Sequence, residues 1–242
     1  MITSKQNQLI KQIRSLSDKK FRDQTGLYLV EGIKLVKEAV TLSLPINVIV
    51  GTEKGIADLD CKQYKTETVS EQVFKFITTE VSPQGVLAVI EKPQNNLTVP
   101  NGSCVLLDGV SDPTNVGAII RTATASGYKT VYLTNECADQ FSPKAVRASM
   151  SGVFRIKTLR ASAEELLKII NLPIIVADMN GENLFDFNKK GDFCLVIGNE
   201  GHGVSDFVRK KANYTVSIPM ENGMESLNAA VSAGLLMYGL KK

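Results

Sequence analysis

The chain has 242 residues, 43% hydrophobic and 22% charged, with a net charge of +3. This length suffices for one α/β domain or for two smaller ones, each with a buried core. The sequence has no apolar run of the ~18 residues that a membrane span requires, and its N-terminus lacks the apolar core of a signal peptide. We therefore expect a cytoplasmic protein.

The four cysteines are far apart and form no Cys-x-x-Cys pair; they are Cys61, Cys104, Cys137 and Cys194. The only histidine is His202, so the composition indicates neither a zinc site nor a disulfide framework. We expect reduced, mostly buried thiols and no bound metal ion.

The first 95 residues alternate between helix and strand patterns. Apolar residues from Leu9 to Leu16 recur at helical spacing, and a basic loop is predicted from there to Arg22. Further helices are predicted near Ile33 and after an N-cap at Ser70. The predicted strands are 27–30, 46–50, 64–69 and 85–90. This pattern predicts a small α/β domain over residues 1–95.

Basic residues are concentrated at the N-terminus. The first 22 residues contain six Lys and Arg residues and one acidic residue, Asp18, so this segment has a net charge of +5. Such a charge favours an anionic partner, although a solvated helix face is a common alternative. The candidate contacts are Lys11, Arg14, Lys19, Lys20 and Arg22.

Residues 91–102, EKPQNNLTVPNG, have neither a helical nor a strand period and are predicted to be a linker. A second domain is predicted over residues 103–242. Its strands are expected at 104–110, 129–133, 154–159, 174–177, 193–197 and 214–218, and its helices at 116–126, from Ser142, at 162–171 and from Leu227. This alternation predicts a parallel sheet covered on both faces, with ligands bound outside the carboxyl ends of its strands.

The first loop of the second domain leads into SDPTNVGAIIRTATASG. Asn115 is predicted to cap the helix, and the buried stripe is predicted to be Val116, Ile119, Ile120 and Ala123. This stripe leaves Arg121 on a different face. Taken alone, such an arginine is typical of a helix surface or an ion pair.

A second loop, NEGHGVSDF, follows the strand pattern FCLVIG and surrounds Glu200 with Gly198, Gly201 and Gly203. Glycines allow backbone groups to approach a ligand closely. The spacing differs from the dinucleotide fingerprint and from the phosphate-binding loop, so both common nucleotide motifs are absent. We interpret His202 as an ordinary loop residue.

The last segment, YTVSIPMENGMESLNAAVSAGLLMYGLKK, reads as a strand, a loop and a helix. Ser226 is predicted to be the N-cap of that helix, and Asn228 adds a second polar side chain at its start. The small residues that follow allow a backbone or a flat ligand to approach. For this segment alone, a plain N-cap with core packing is the simpler interpretation.

Together, the three motifs NVGAIIRTA, VIGNEGHGV and IPMENGMESLNAAVSAG closely resemble the SpoU family of RNA 2'-O-ribose methyltransferases within the SPOUT class. The resemblance covers the chain from about Cys104 to the C-terminus. The first domain is similar in size and element order to the small RNA-recognition domain that many members carry.

The resemblance implies a C-terminal trefoil knot that binds S-adenosylmethionine, a homodimer formed through the second domain, and metal-independent methylation of structured RNA. Ribosomal RNA is favoured over transfer RNA because a separate N-terminal domain is present. Arg121 is implied to bind the phosphate next to the target ribose. Pocket-ordering roles are implied for Asn115, Glu200, Ser226 and Asn228, and contacts with the methyl donor for Gly198, Ile218, Met220 and Leu227.

Two alternatives stay open at this point. A non-catalytic RNA-binding or ribosome-assembly protein would retain the fold without turnover, but the intact Arg121, Asn115 and Glu200 argue against it. An ordinary nucleotide-dependent α/β enzyme would be expected to carry one of the two absent nucleotide motifs.

Overall fold

The computed structural model describes residues 1–241. The first part of the chain contains α1 (Gln8–Ser15), α2 (Lys19–Thr25), β1 (Leu27–Glu31), α3 (Ile33–Thr41), β2 (Ile46–Gly51), α4 (Glu53–Ile56), β3 (Thr66–Thr68), α5 (Glu71–Ile77) and β4 (Val86–Glu91). The second part contains β5 (Cys104–Asp108), α6 (Pro113–Ala125), β6 (Thr130–Thr134), α7 (Pro143–Ser149), α8 (Gly152–Arg155), β7 (Lys157–Ala161), α9 (Ala163–Ile169), β8 (Ile174–Asn183), β9 (Cys194–Gly198), α10 (Asp206–Arg209), β10 (Tyr214–Ser217) and α11 (Ala229–Gly239).

Contacts divide these elements into two compact units. The first contains residues 1–94 together with 141–151, and the second contains residues 95–140 and those from 152 onward. The sequence boundary assigned residues 141–151 to the second domain, whereas in the structure this segment packs with the first unit. Its helix α7 begins as predicted, because the Ser142 hydroxyl caps it and Pro143 occupies its first turn.

The first unit is built on a mixed four-stranded sheet in the order β1-β4-β2-β3. Strand β4 is antiparallel to β1 and β2, whereas β2 and β3 are parallel. Helix α1 buries Ile10 and Ile13 in a core that also contains Val73, Phe74 and Ile77 of α5. This packing confirms the predicted amphipathic helix.

The predicted basic loop before Arg22 is wrong, because α2 occupies it. Asp18 caps this helix by accepting from the N–H of Lys20, and Gly26 ends it at φ +67°. Arg22 is only 2% exposed, and its Nη1 donates to the carbonyl oxygens of Leu16 at 2.7 Å and Ser17 at 2.9 Å. Arg22 therefore belongs to the interior and is withdrawn as an RNA contact.

The second unit contains a six-stranded sheet in the order β10-β8-β9-β5-β6-β7, and every neighbouring pair is parallel. From β5 the chain builds outward through β6 and β7, and then returns to place β9 on the other side of β5. The strand order therefore reverses between β5 and β9, which is where open parallel sheets bind ligands. A parallel sheet was predicted and is confirmed.

Helices α6 and α11 pack against each other in this unit. The stripe of Val116, Ile119, Ile120 and Ala123 on α6 is fully buried, as predicted. Helix α11 begins at Ala229 with Asn228 as its N-cap, so the predicted cap at Ser226 and start at Leu227 are corrected. Its side chains Val231, Leu235 and Tyr238 are exposed along one face.

Three further features can be compared with the sequence predictions: the start of β7, the cysteines and the length of the helices. Residues 152–155 form α8 where a strand was predicted to begin, and β7 starts only at Lys157. All four cysteines are free and buried, as predicted. Within residues 1–241, no helix has both the length and the apolar character to cross a membrane.

Candidate active site

The loops after β5 and β9 meet at the reversal of strand order. The side-chain amide of Asn199 donates to the carbonyl oxygen of Gly109 at 2.7 Å, and the buried carboxylate of Asp108 accepts from the N–H of Ser205 at 2.7 Å. These bonds fix the glycine-rich loop of residues 198–203 beside the entry into α6.

Glu200, at the tip of that loop, is held by donors from the start of α6. Its carboxylate accepts the N–H of Ser111 at 3.0 Å, the Ser111 hydroxyl at 2.9 Å, the N–H of Asp112 at 3.1 Å and the side-chain amide of Asn115 at 2.9 Å. Desolvation raises the pKa of Glu200, but these hydrogen bonds outweigh it and lower the pKa to about 2. Glu200 is therefore ionised at neutral pH.

One hydrogen-bond chain joins all three motif loops. The amide nitrogen of Asn115 donates to Glu200, and the Asn115 oxygen accepts from the amide nitrogen of Asn228 at 3.0 Å. The Asn228 oxygen accepts from the N–H groups of Ala230 and Val231 at the start of α11. Because an ionised carboxylate only accepts, its position sets the orientation of both amides along the chain.

This arrangement corrects the predicted role of Asn115. The N-cap of α6 is Asp112, whose carboxylate accepts from the N–H of Thr114 at 2.8 Å. Asn115 lies within the first turn and is buried, and its side chain serves the contacts between loops. Its amide is thus free to bridge Glu200 and Asn228 because another residue caps the helix.

A cavity of about 690 Å³ opens beside this chain, and its wall is formed entirely by the second unit. Glu200, Ser226 and Asn228 line it, as do all four residues predicted to contact the methyl donor: Gly198, Ile218, Met220 and Leu227. The full lining comprises residues 177–179, 197–203, Arg209, Val216, Ile218, Met220, 225–229, Ser232 and Leu236.

Gly198 is required by the packing of the protein's own backbone. A Cβ atom at this position would lie 2.2 Å from the carbonyl carbon of Gly203 and 2.3 Å from the backbone nitrogen of Val204. Asn199 and Gly203 exchange two backbone hydrogen bonds of 2.9 Å, which close the loop against β9. A side chain at Gly198 would therefore open the loop whether or not a ligand is bound.

Arg121 lies in the third turn of α6, outside the described lining of the cavity. Its side chain is exposed, and within the described part of the chain it forms no hydrogen bond or ion pair. Helix α8 packs close to its backbone, since a Cβ atom at Gly152 would lie 3.0 Å from the Arg121 Cα. The structure thus brings Asn115, Glu200 and Asn228 together and leaves Arg121 apart from them.

Sequence reasoning missed an ion pair between Asp178 and Arg209 at the cavity wall. Asp178 had an available signal, because it directly follows the predicted apolar strand 174–177, although β8 continues through it to Asn183. Arg209 had none, since it lies in a short helix without a motif. His202 is an exposed loop residue whose N–H donates to the Asn199 side chain at 3.1 Å.

The N-terminal cations divide into accessible and engaged groups. Lys11, Arg14 and Lys20 are exposed, whereas Lys19 pairs with Asp23 at 3.0 Å. The Arg14 guanidinium also lies 5.6 Å from the ring centroid of Phe76. Across residues 1–241, no group of three or more His, Cys, Asp or Glu side chains is arranged to hold a metal ion.

The fold defines an α/β protein with a cavity at the carboxyl ends of a parallel sheet and a second, smaller unit whose first helix is basic. Comparison with known families makes the class specific. Residues 102–238 match the model of the SpoU rRNA Methylase family, and residues 7–88 match the MRM3-like substrate binding domain. The chain belongs to the SpoU rRNA methylase family, as its three motifs predict.

Relatives extend the similarity over nearly the whole chain. The chain is 33% identical to the 23S rRNA (guanosine(2553)-2'-O)-methyltransferase RlmP of Bacillus subtilis, over 99% of this chain and 98% of that protein. An AdoMet-bound rRNA methyltransferase from Sinorhizobium meliloti is 30% identical, with a TM-score of 0.87 over 98% of this chain and 95% of its own. The SpoU methyltransferase AviRb from Streptomyces viridochromogenes, solved with AdoMet, is 27% identical, with a TM-score of 0.87 and 97% of both chains covered.

Proposed function

We propose that this protein transfers the methyl group of S-adenosylmethionine to a ribose 2'-hydroxyl of ribosomal RNA. The observation that carries the proposal is the convergence of the three motif loops on one cavity, where the chain Glu200–Asn115–Asn228 joins them. The family match and the two AdoMet-bound relatives support the methyl donor, and the B. subtilis relative supports ribosomal RNA over transfer RNA.

The cavity fits the proposed donor in size and in chemistry. Its volume of about 690 Å³ lies within the range of about 300–1,000 Å³ that is typical of small-molecule sites. Ile218, Met220 and Leu227 offer apolar surface, while the loop at Gly198 and the strand end at Ile218 offer backbone groups to an adenosyl moiety. When bound, S-adenosylmethionine supplies an electrophilic methyl group on its sulfonium.

Glu200, Asn115 and Asn228 act by positioning. With a pKa of about 2 and four donated hydrogen bonds, the Glu200 carboxylate is a weak base at neutral pH and a strong acceptor. Its role is to hold the three loops in one arrangement, so that the donor and the ribose meet in line. Ser226 lines the same wall and contributes a hydroxyl beside Leu227.

Arg121 binds the phosphate next to the target ribose and stabilises negative charge on the attacking oxygen. A guanidinium forks onto phosphate oxygens and keeps its positive charge at neutral pH. The exposure of Arg121 supports this role, since its donors are available to a ligand. No proton transfer is assigned to it.

The RNA is recognised by residues 1–95, ahead of a methyltransferase domain over residues 103–242. The match of residues 7–88 to a substrate-binding domain and the exposed cations of α1 support this division. Lys11, Arg14 and Lys20 are the proposed phosphate contacts, and Lys19 contributes after leaving Asp23. Because its substrate is ribosomal RNA, we place the activity in the cytoplasm.

The second domain carries a trefoil knot and forms a homodimer in this proposal. Close backbone packing supports the knot: a Cβ atom at Gly181 would lie 2.5 Å from the backbone nitrogen of Val216, and one at Gly198 would lie 2.2 Å from the Gly203 carbonyl carbon. The exposed apolar face of Val231, Leu235 and Tyr238 on α11 supports pairing through this domain.

Two measurements test the function directly. Calorimetry should detect binding of S-adenosylmethionine to the purified protein, and mass mapping of total RNA should show a 2'-O-methylated nucleotide that disappears when the protein is absent and returns with the wild type but not with Arg121→Ala. Donor binding without any change in RNA methylation would favour the non-catalytic alternative. Absence of donor binding would reject the proposal.

A further inference from the structure

The cavity wall carries one charged pair that the methyl-transfer motifs do not include. Arg209, at the end of α10, donates from Nη1 to the carboxylate of Asp178 on β8. Among the described residues that line the cavity, Arg209 is the single Lys or Arg. A cation in this position is complementary to an anionic group on a ligand.

Asp178 is itself held in place, so the guanidinium is oriented. The second oxygen of Asp178 accepts the N–H of Asn180 at 3.0 Å and the Asn180 side-chain amide at 3.3 Å. The side chain of Asp178 is only 13% exposed, whereas that of Arg209 is 41% exposed. The half-buried Asp178 carboxylate, itself held by Asn180, thus fixes Nη1 of Arg209, while the Arg209 side chain keeps exposed surface.

Arg209 retains donors for a ligand. A guanidinium carries five N–H groups, and the described contacts use Nη1 alone. Gly203 leaves space beside it: a Cβ atom at Gly203 would lie 3.8 Å from Nη2 of Arg209, so a larger side chain at this position would cover the guanidinium. The free edge of Arg209 therefore adjoins the glycine-rich loop of the cavity.

The pair matches one end of the proposed methyl donor. An α-amino acid group is a zwitterion, with a carboxylate and an ammonium next to each other. Arg209 and Asp178 present the complementary cation and anion on one wall, and guanidinium groups bind carboxylates in a bidentate manner. The adenosyl part has no anionic group, so the amino-acid end is the part of the donor that requires this pair.

We propose that Arg209, held by Asp178, binds the α-carboxylate of the methyl donor and thereby selects ligands that carry an amino-acid group. This inference rests on the proposed function, since it assigns one end of the donor within the same cavity. Arg209 is a binding residue in this proposal and takes no part in the transfer step.

The test compares two ligands that differ only at this end. Calorimetry is performed with S-adenosylhomocysteine and with 5'-methylthioadenosine, which has the same adenosyl thioether but no amino-acid group. Arg209→Ala should weaken S-adenosylhomocysteine binding by about 10- to 100-fold, as expected for loss of a charge-assisted contact, and should leave 5'-methylthioadenosine binding unchanged. Asp178→Asn should weaken the first ligand by a smaller factor.

Lys210→Ala is the matched control, because it removes one exposed positive charge from the adjacent position, outside the described lining of the cavity. It should leave both affinities unchanged. An equal loss of both ligands in Arg209→Ala would overturn the proposal, as would unchanged affinity for both with weaker binding of RNA, which would assign Arg209 to a phosphate. If the wild type binds neither ligand, the donor cavity itself is wrong and this inference falls with it.

Discussion

The first and third turns of α6 place two motif residues in opposite circumstances. Asn115 in the first turn is buried, and both atoms of its amide are bonded, to Glu200 and to Asn228. Arg121 in the third turn is exposed, and the residues described around it supply no hydrogen bond or ion pair to its side chain. The same short motif therefore contains Asn115, whose side chain is hydrogen-bonded within the protein, and Arg121, whose side chain is accessible to a ligand.

This contrast separates two ways of losing activity. A change in Glu200, Asn115 or Asn228 breaks the hydrogen bonds that join the three loops. Such a change should affect donor binding, stability and turnover together. A change at Arg121 removes no contact within the described protein, so it should lower turnover and leave donor binding and stability unchanged. Variants that mix these effects would contradict the division.

The largest expected effect is that of Arg121→Ala on the transfer step. Single-turnover methylation should fall by about 10²–10³-fold, as for removal of a positioned group that stabilises transition-state charge. Donor affinity and melting temperature should stay near wild type, because the side chain has no described partner. Arg121→Lys should restore little, since an ammonium cannot form the two-pronged phosphate contact. Near-normal turnover in the alanine variant would refute the catalytic role.

Glu200→Ala should give the next largest effect and, unlike Arg121→Ala, should lower donor affinity and stability together with turnover. It removes the acceptor of Ser111, Asp112 and Asn115, so we expect roughly 10-fold weaker donor binding, with a loss of about 1–3 kcal/mol from unpaired donors. Calorimetry and thermal melting measure the two changes. Full stability with unchanged donor affinity would show that the hydrogen-bond chain does not organise the cavity.

The first unit allows the same comparison, because Arg22 is a buried, hydrogen-bonded cation and Lys11 is an exposed one. Arg22→Ala should destabilise the protein by about 1–3 kcal/mol, because it leaves the carbonyl oxygens of Leu16 and Ser17 unpaired. Lys11→Ala should leave stability unchanged and reduce the slope of log RNA affinity against log salt by about 0.7–0.9. If both variants reduced the salt slope equally, the assignment of Arg22 to the interior and of Lys11 to RNA binding would be wrong.

Leu235→Arg tests whether the exposed apolar face of α11 is the contact between two copies of the chain. A charge on this apolar face should shift the sedimentation coefficient from dimer to monomer while the protein stays folded. Val99→Arg is the control, since Val99 is an exposed apolar residue outside any described helix or strand. A variant with wild-type sedimentation would exclude this face as the contact between copies.

The smallest expected effect is a change in how stability depends on pH. Because folding lowers the pKa of Glu200 from 4.5 to about 2, the stabilisation is present above pH 4.5 and is lost as pH falls toward 2. Glu200→Gln should therefore reduce the difference in stability between pH 5 and pH 3, measured by urea unfolding. An unchanged pH dependence would mean that the carboxylate is not held by the donors around it.

Local signals were sufficient for several helix starts and for the buried face of α6. Ser70 and Ser142 each cap a helix by accepting from a backbone N–H three residues ahead, as predicted. Ser162, predicted as the first residue of its helix, caps it in the same way. The buried stripe of α6 and the strand pattern of the second domain were predicted for the same reason. The family resemblance depended on three short motifs, each contiguous in the chain.

Several local predictions failed because neighbouring residues were equally suited to the same role. Ser226 and Asn228 have similar N-cap preferences, so the sequence did not decide between them, and α11 begins after the residue whose oxygen reaches Ala230 and Val231. Asp112 and Asn115 competed in the same way at α6. At Arg22, basic composition indicated an exposed loop, whereas two nearby carbonyl oxygens retain the side chain in the interior.

The sequence by itself determined the α/β class, most elements, the family and the residues of the three motif loops. Only the tertiary structure decided which of those residues bond to one another, because Asn115 lies 85 residues from Glu200 and 113 from Asn228. The tertiary structure also showed that Gly198 is required because the backbone at Gly203 packs against it. It likewise placed Asp178 and Arg209 together in the cavity wall. Contacts of this kind depend on strand order, and the order of parallel strands follows from how the whole sheet packs rather than from any short stretch of chain.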